Sequence, residues 1–375
     1  MTQTGTVRRA ENALSRIFSS WFPVPQLLLP RTLGIDVSDA SIKWLVLGAD
    51  RGKQRVVSYG DEPLQKGIVE QGIIQDIPAF TAALTGLKEK WNGIECVHAA
   101  LPEETAYVFN MYVPVGSGRE QTLRMIEFEL EGRVPIPPSQ AVYDFNIITE
   151  HDGDKGTEVG VAVFAREHAQ SYAEVFHDAG IRLLSLEVEA RSIARAVSSD
   201  AAEEPITLLV DFGRERTSFA VLKRGIPIFT STVGVGGNAI SRVLQEKAHL
   251  SEEEAVIFKD EQGLFAEKEP KSPEVEAVIG SASALADEVA KHYQYWDTRR
   301  NERGERMTPV ERIILVGGSS NLKGLDDYLA GRVQTDVYRG NVWRNVCEFD
   351  EYIPPIDFHT SLQYATAIGL ALRGI

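Results

Sequence analysis

Residues 33–47 read LGIDVSDASIKWLVL. Two apolar, β-branched runs, 33–37 and 42–47, flank the polar turn Ser38-Asp39-Ala40-Ser41, which predicts a β-hairpin with Asp36 near the end of its first strand. The layout returns further along the chain. Residues 207–211 and 218–222 form a second pair of apolar runs around Gly213 to Thr217, again with an aspartate, Asp211, closing the first run. An internal repeat of strand, Asp-x-polar turn and strand predicts a duplicated α/β core with a cleft between its halves.

Outward from these two hairpins the pattern alternates. Residues 77–91 and 120–133 read as helices, the second ended by Pro135, Pro137 and Pro138. Residues 96–101, 105–113, 142–149 and 158–164 read as strands, 166–179 as a helix and 181–188 as a strand. The region 251–306 reads as mostly helical, 312–316 as a buried strand, 322–330 as a helix and 365–372 as a short terminal helix.

The chain of 375 residues is 43% apolar, enough for two or more buried cores. Its net charge of -15 excludes binding to a phosphate backbone, so no nucleic-acid partner is expected. Cys96 and Cys347, its two cysteines, fit neither a disulfide framework nor a zinc site, which implies a reducing compartment. No apolar run approaches the ~20 residues of a membrane span, and the start lacks a secretory leader, so a cytoplasmic location is expected. Residues 1–30 stand apart. Ala10, Ala13, Leu14, Ile17, Phe18, Trp21 and Phe22 make a helical apolar stripe, with Arg8, Arg9 and Arg16 beside it. Such a segment suits either an anionic membrane surface, through residues 8–22, or docking on protein.

The turns carry the chemistry. In the first, backbone N–H groups and the hydroxyls of Ser38 and Ser41 suit phosphate oxygens. Asp36 is an oxygen ligand suited to magnesium through water, and Lys43 reaches the phosphates or caps the sheet edge. In the second, Asp211 repeats the role of Asp36, Gly213 allows close backbone approach and Thr217 offers a hydroxyl. The Asp211-Phe212-Gly213 triplet also occurs in protein kinases, but no glycine-rich loop, His-Arg-Asp or strand lysine accompanies it, so a protein kinase is excluded. Gly317, Gly318 and Ser319 follow a buried strand, where missing side chains let a base or sugar lie on the main chain. The helix expected at 322–330 offers its N-terminus to an anion. Gly234, Gly236 and Gly237 cluster before another helix.

These segments occur in the order of the actin, sugar kinase and DnaK-type chaperone superfamily. Within it the chain from residue 33 resembles the PilM family of type IV pilus assembly proteins. The stretches concerned are LGIDVSDASIKWLVL, ALPEETAYVF, GRVPIPPSQAVYDF, LLSLEVEARSIARAV, LVDFGRERTSFAVL, TVGVGGNAIS, ILVGGSSNLKGLDDYL and ATAIGLALRG. The resemblance implies an α/β, duplicated actin-like (ribonuclease H-like) fold, two lobes around a nucleotide cleft, with an extra subdomain of the FtsA and PilM type. It divides the chain into 31–95, 165–200 and 361–375 for the first lobe, 96–164 for the extra subdomain, and 201–240, 241–309 and 310–360 for the second lobe. It implies ATP and Mg2+ as ligands. Gly34, Asp36, Ser38, Ser41 and Lys43 would form the first phosphate loop, Asp211, Gly213 and Thr217 the second, with Gly236 and Gly237 nearby, and Gly317, Gly318 and Ser319 the adenosine contact. Glu189 falls where related ATPases orient the attacking water, although Ala190 stands where relatives have proline; Glu187, expected on the same strand face, is its rival. The implied role is a cytoplasmic ATP-binding scaffold at the inner membrane. It binds the tail of a PilN-like membrane protein, alongside other platform and motor components and further copies of itself, with slow ATP hydrolysis or none. Two rivals are weighed: an FtsA-like membrane-tethered filament protein, and a metabolic kinase, for which residues 97–144 supply no evident catalytic acid.

Overall fold

The first hairpin forms in register, β1 (Thr32–Val37) pairing antiparallel with β2 (Ser41–Asp50) so that Asp36 lies opposite Lys43. The structure, a computed structural model, describes residues 32–50, 53–91, 93–199, 204–265, 273–300, 304 and 306–374. The amphipathic stretch expected in residues 1–30 lies outside the described residues.

The first lobe continues through β3 (Lys53–Pro63), the short pair β4 (Val69–Glu70) and β5 (Ile73–Ile74), α1 (Ile77–Lys88) and β6 (Cys96–Leu101). The Asp76 carboxylate caps α1 by accepting the Ala79 N–H at 2.9 Å. Then come β7 (Ala106–Val113), α2 (Arg119–Arg133), β8 (Ala141–Thr149) and β9 (Thr157–Ala165), which build a separate sheet in the order β7-β9-β8. Helix α2 covers that sheet, burying Ile126 and Leu130 against Val159, Val161 and Val163. The chain returns to the first lobe with α3 (Arg166–Asp178), β10 (Arg182–Val188) and α4 (Glu189–Val197). The first-lobe sheet runs β10-β6-β1-β2-β3. Strand β6, assigned from sequence to the extra subdomain, therefore sits in the first-lobe sheet, parallel to both β1 and β10. Its residues 97 and 99–101 are buried, as a central strand requires.

The second lobe contains β11 (Thr207–Phe212), β12 (Thr217–Lys223), β13 (Ile226–Val233), α5 (Gly237–Ala248), α6 (Glu252–Glu261), α7 (Pro273–Thr298), β14 (Arg312–Val316), α8 (Leu325–Val333) and β15 (Val337–Arg339). Its sheet runs β13-β12-β11-β14-β15. Read from the other edge, that order repeats the first sheet strand for strand: two parallel strands, the opening strand, and the two antiparallel strands that follow it. The duplication seen in the hairpins extends to both sheets.

Finally α9 (Phe358–Ser361) and α10 (Ala365–Ala371) cross back. Helix α10 buries Ile368 and Ala371 in the first-lobe core with Leu33, Ile35 and Phe80. Phe219, Trp296 and Leu315 anchor the second-lobe core. The helix expected at 322–330 begins only at Leu325. Gly324 sits at φ 81°, and the residues just after the paired glycines form the 3-10 turn Gly318–Asn321 instead.

Candidate functional site

A cavity of about 580 Å³ lies between the lobes, and both hairpin turns open into it. Asp36, Ser38, Ser41 and Lys43 line it from the first lobe; Asp211, Gly213, Gly237, Gly317, Gly318 and Ser319 line it from the second. The two aspartates, ending equivalent strands in the two sheets, therefore face one shared crevice.

The first turn is closed by its own serines. Ser38 N–H and Oγ both donate to the Ser41 carbonyl, at 2.9 and 3.0 Å, and Ser41 N–H donates to Ser38 Oγ at 3.1 Å. Lys43 Nζ donates to Ser41 Oγ at 2.9 Å and lies 3.8 Å from Asp61. The second turn is propped by two remote segments. Gly237 N–H and Ser319 Oγ both donate to the Gly213 carbonyl, at 3.0 and 2.9 Å. Gly317 has φ 86°, and a β-carbon there would collide with the Asp211 carboxylate; one at Gly237 would collide with Ser319.

Three expected residues lie elsewhere. Gly34 is covered by α10, whose Ala367 carbonyl occupies the space a side chain would need, so it serves packing and not phosphate. Thr217 is fully buried, and its hydroxyl donates to the Val235 carbonyl at 2.5 Å. Gly236 packs against the backbone of Arg214 to Arg216, behind the turn.

The cleft is strongly acidic. Asp36, Asp39, Asp61, Glu104, Glu189, Asp211, Glu215, Glu252 and Asp260 line it, against Lys43, Arg214, Arg216 and Lys259. Burial raises Asp36 to about 6, with Lys43 opposing and Asp61 adding to the rise. Burial and the charge of Asp36 raise Asp211 to about 7. Carboxylates held this close without matching cations ask for a positive ligand. Among the described residues no three His, Cys, Asp or Glu side chains approach closely enough to hold a bare metal ion. Asp36 and Asp211 are oxygen donors of the kind that would hold a hydrated divalent cation.

Glu187 and Glu189 separate sharply. Glu187 is gripped by Arg195, whose two terminal nitrogens donate to its two oxygens at 2.6 and 2.8 Å, by Ser192 at 2.8 Å, and by Arg373. Although burial works against it, these donors hold its pKa below the ordinary value. It is a structural tie between α4 and the chain end. Glu189 is not on that strand face: it is the first residue of α4 and lines the cleft. Burial, reinforced by Asp36, Glu103 and Asp211, pushes it well above the usual carboxylate range.

Sequence reasoning passed over Glu103. It is 3% exposed, accepts the Ala190 N–H at 3.1 Å, and is raised to about 8, chiefly by burial. The signal was present: an acid just beyond the carboxyl end of a buried strand, where open α/β sheets place their ligand sites. Arg216 was also missed. Its guanidinium crosses the cleft from the second turn to Asp39 and Glu104 of the first lobe. Ser241, on α5, and Lys259, on α6, add a further polar wall, Lys259 donating to Ser241 Oγ at 2.8 Å.

Comparison with known proteins gives this geometry a context. The family model described as type IV pilus assembly protein PilM matches residues 34–375. The fold is similar to that in the PilM-PilN type IV pilus biogenesis complex, with a TM-score of 0.74 at 20% identity, covering 92% of this chain and 98% of that one. It is also similar to the ethanolamine utilization protein EutJ from Carboxydothermus hydrogenoformans (TM-score 0.53, 17% identity, 93% of this chain and 91% of that one). MreB5 of Spiroplasma citri bound to ADP is a third such structure (TM-score 0.53, 12% identity, 91% and 95%). Together they establish an actin-like ATPase fold.

Proposed function

This chain belongs to the PilM family of type IV pilus assembly proteins, and on that premise we propose that it is an ATP-binding scaffold of the pilus assembly platform at the inner membrane. The observation that carries the nucleotide half of this reading is the convergence of Asp36 and Asp211 on one acidic cleft. Free polyphosphate would be repelled there, so ATP enters with Mg2+. Asp36 and Asp211 would hold the ion; Ser38, Ser41 and Lys43 would take the phosphates from the first lobe and the Gly213 turn from the second. Gly317, Gly318 and Ser319 form the floor for the adenosine. Bound magnesium supplies neutralisation of the phosphate charge.

Glu189 lines the same cleft, and burial reinforced by Asp36, Glu103 and Asp211 raises its pKa, which works against a role as a base and is in keeping with slow turnover or none. No helix among the described residues is long and apolar enough to cross a membrane. The structural likeness to a PilM-PilN complex supports the cytoplasmic tail of a PilN-like membrane protein as what attaches the chain to the platform. Nucleotide favours one lobe arrangement over another, and the tail's affinity changes with it.

Calorimetric titration with ATP tests the reading directly. Binding is expected with Mg2+ and should vanish with EDTA; a protein that ignores millimolar MgATP refutes the nucleotide role. Titration of a PilN-like tail peptide with and without MgATP should give two different affinities.

A further inference from the structure

The three-stranded unit is inserted in the chain of the first lobe but fastened to the second. Glu158, on its central strand β9, is 1% exposed. Its carboxylate accepts Lys223 Nζ at 2.5 Å and Asn110 Nδ2 at 2.7 Å. Lys223 ends β12, in the second-lobe sheet. The neighbouring Arg224, at φ 51°, donates to the Ile148 carbonyl at 3.3 Å, and the Ile148 side chain is buried in the second-lobe core. At Gly160 on β9 a β-carbon would stand 2.6 Å from Ile226 Cγ2 and 3.1 Å from the Pro227 carbonyl, so the β12–β13 tip presses directly on the unit's backbone. Arg191 of α4 donates to the Gly225 carbonyl at 2.9 Å, bringing the first lobe to the same tip.

Strand β12 links this tip to the cleft. It starts at Thr217, at the end of the second turn, and reaches Lys223 about 20 Å away at the usual strand rise. Helix α4 likewise starts at Glu189 in the cleft and carries Arg191 to the tip. The extra unit is thus joined covalently to the first lobe, before β7 and after β9, and by a buried ion pair to the second. Rotation of one lobe against the other must pass into the unit or pull the Lys223 ammonium from a carboxylate shielded from water, which leaves an unpaired buried charge.

We propose that the Lys223–Glu158 ion pair transmits nucleotide-dependent lobe movement to the three-stranded unit, making that unit the responsive part of the scaffold. The inference rests on the nucleotide reading above and adds the residues that regulate the unit's state. Strand β12 and helix α4, which both begin in the cleft and meet at this joint, make a contiguous packed path of the kind along which distant sites can couple.

Amide hydrogen exchange on the full chain, with and without the non-hydrolysable probe AMPPNP plus Mg2+, tests it. In the parent, nucleotide should slow exchange in the turns at 34–43 and 211–217 and shift exchange in 157–165 by about fivefold. In the double variant Lys223→Met with Glu158→Gln, which leaves no buried charge unpaired, the turns should respond as before and 157–165 should not. Lys223→Arg, keeping the charge, should retain the response. Protection of the turns with an indifferent 157–165 in the parent overturns the coupling while leaving nucleotide binding intact. Unprotected turns in the parent overturn both. A double variant that keeps the full response shows that the ion pair is not the link. If that variant fails to fold, Glu158→Asp is read in its place: a weakened response supports the proposal and an undiminished one overturns it.

Discussion

The two cleft turns share a topology but are built differently. The first, Ser38 to Ser41, is closed by its own two serines, and its Asp39 and Ala40 accept further bonds from Gln71, Gly72 and Leu64 of the same lobe. The second, Gly213 to Thr217, has one internal bond, from Gly213 N–H to the Arg216 carbonyl at 3.0 Å, and is propped besides by Gly237, Ser319 and Gly317 from segments that follow it in sequence. Both turns present side chains to the cleft, and the second adds the bare backbone of Gly213. Duplication preserved the strand order and the cleft-facing aspartate while the support around each turn diverged. The first turn should therefore tolerate substitution with local consequences, whereas damage to the second should spread.

The largest expected effect is common to both turns. Asp36→Ala or Asp211→Ala should weaken MgATP affinity by roughly 10- to 100-fold, the usual cost of losing a group that orients a metal's waters. Calorimetry reads this, and parental affinity in both variants would sink the shared cleft. Next comes Gly317→Ala, which forces a β-carbon to φ 86° against the Asp211 carboxylate. It should cost about 1–3 kcal/mol in urea unfolding and weaken nucleotide binding as well. Glu103 sharpens the contrast through pH. Its folded pKa, about 8, lies above the ordinary 4.5, so the stability it contributes is complete below about pH 4.5 and is lost as pH climbs through 8. Glu103→Gln should flatten that decline, visible as a higher Tm than the parent at pH 8.5 and little difference at pH 5. Smallest is Ser38→Ala, which removes hydrogen bonds internal to the first turn. A loss of about 1 kcal/mol or less is expected in the same urea measurement; a loss matching Gly317→Ala would erase the distinction between the turns.

The same distinction explains what could be read from the sequence. The hairpin at 33–47 was legible because strand periodicity and turn chemistry are local, and its repeat at 207–222 exposed the duplication. Asp36 and Asp211 followed from their place at the strand ends. Gly34 misled, because a glycine beside a phosphate loop and a glycine beneath a helix look alike until α10 is seen to cover it. Thr217 misled for a related reason: its hydroxyl is consumed by Val235, a partner set by the return of β13. Glu189 and Glu187 could not be told apart because the boundary between β10 and α4 falls between them, and the arginines that claim Glu187 lie 8 and 186 residues away. Strand β6 was assigned to the wrong unit because a buried apolar run carries no label naming its sheet. Glu103 was marked only by its place beyond a strand end, while its contact with Ala190 and those of Arg216 with Asp39 and Glu104 run across the fold and leave no local trace.

Helix α10, lying over Gly34 and sharing a core with the opening strand, has a consequence for biosynthesis. A nascent chain emerging from the ribosome cannot finish its first lobe when residues 32–197 are out, because the piece that seals β1 is translated more than a hundred residues later. The second lobe can complete its sheet while the first still waits with an open seam. Order of synthesis and order of folding are thus partly reversed, and a chaperone guarding that seam during translation would hold β1 and be displaced by the arrival of α10.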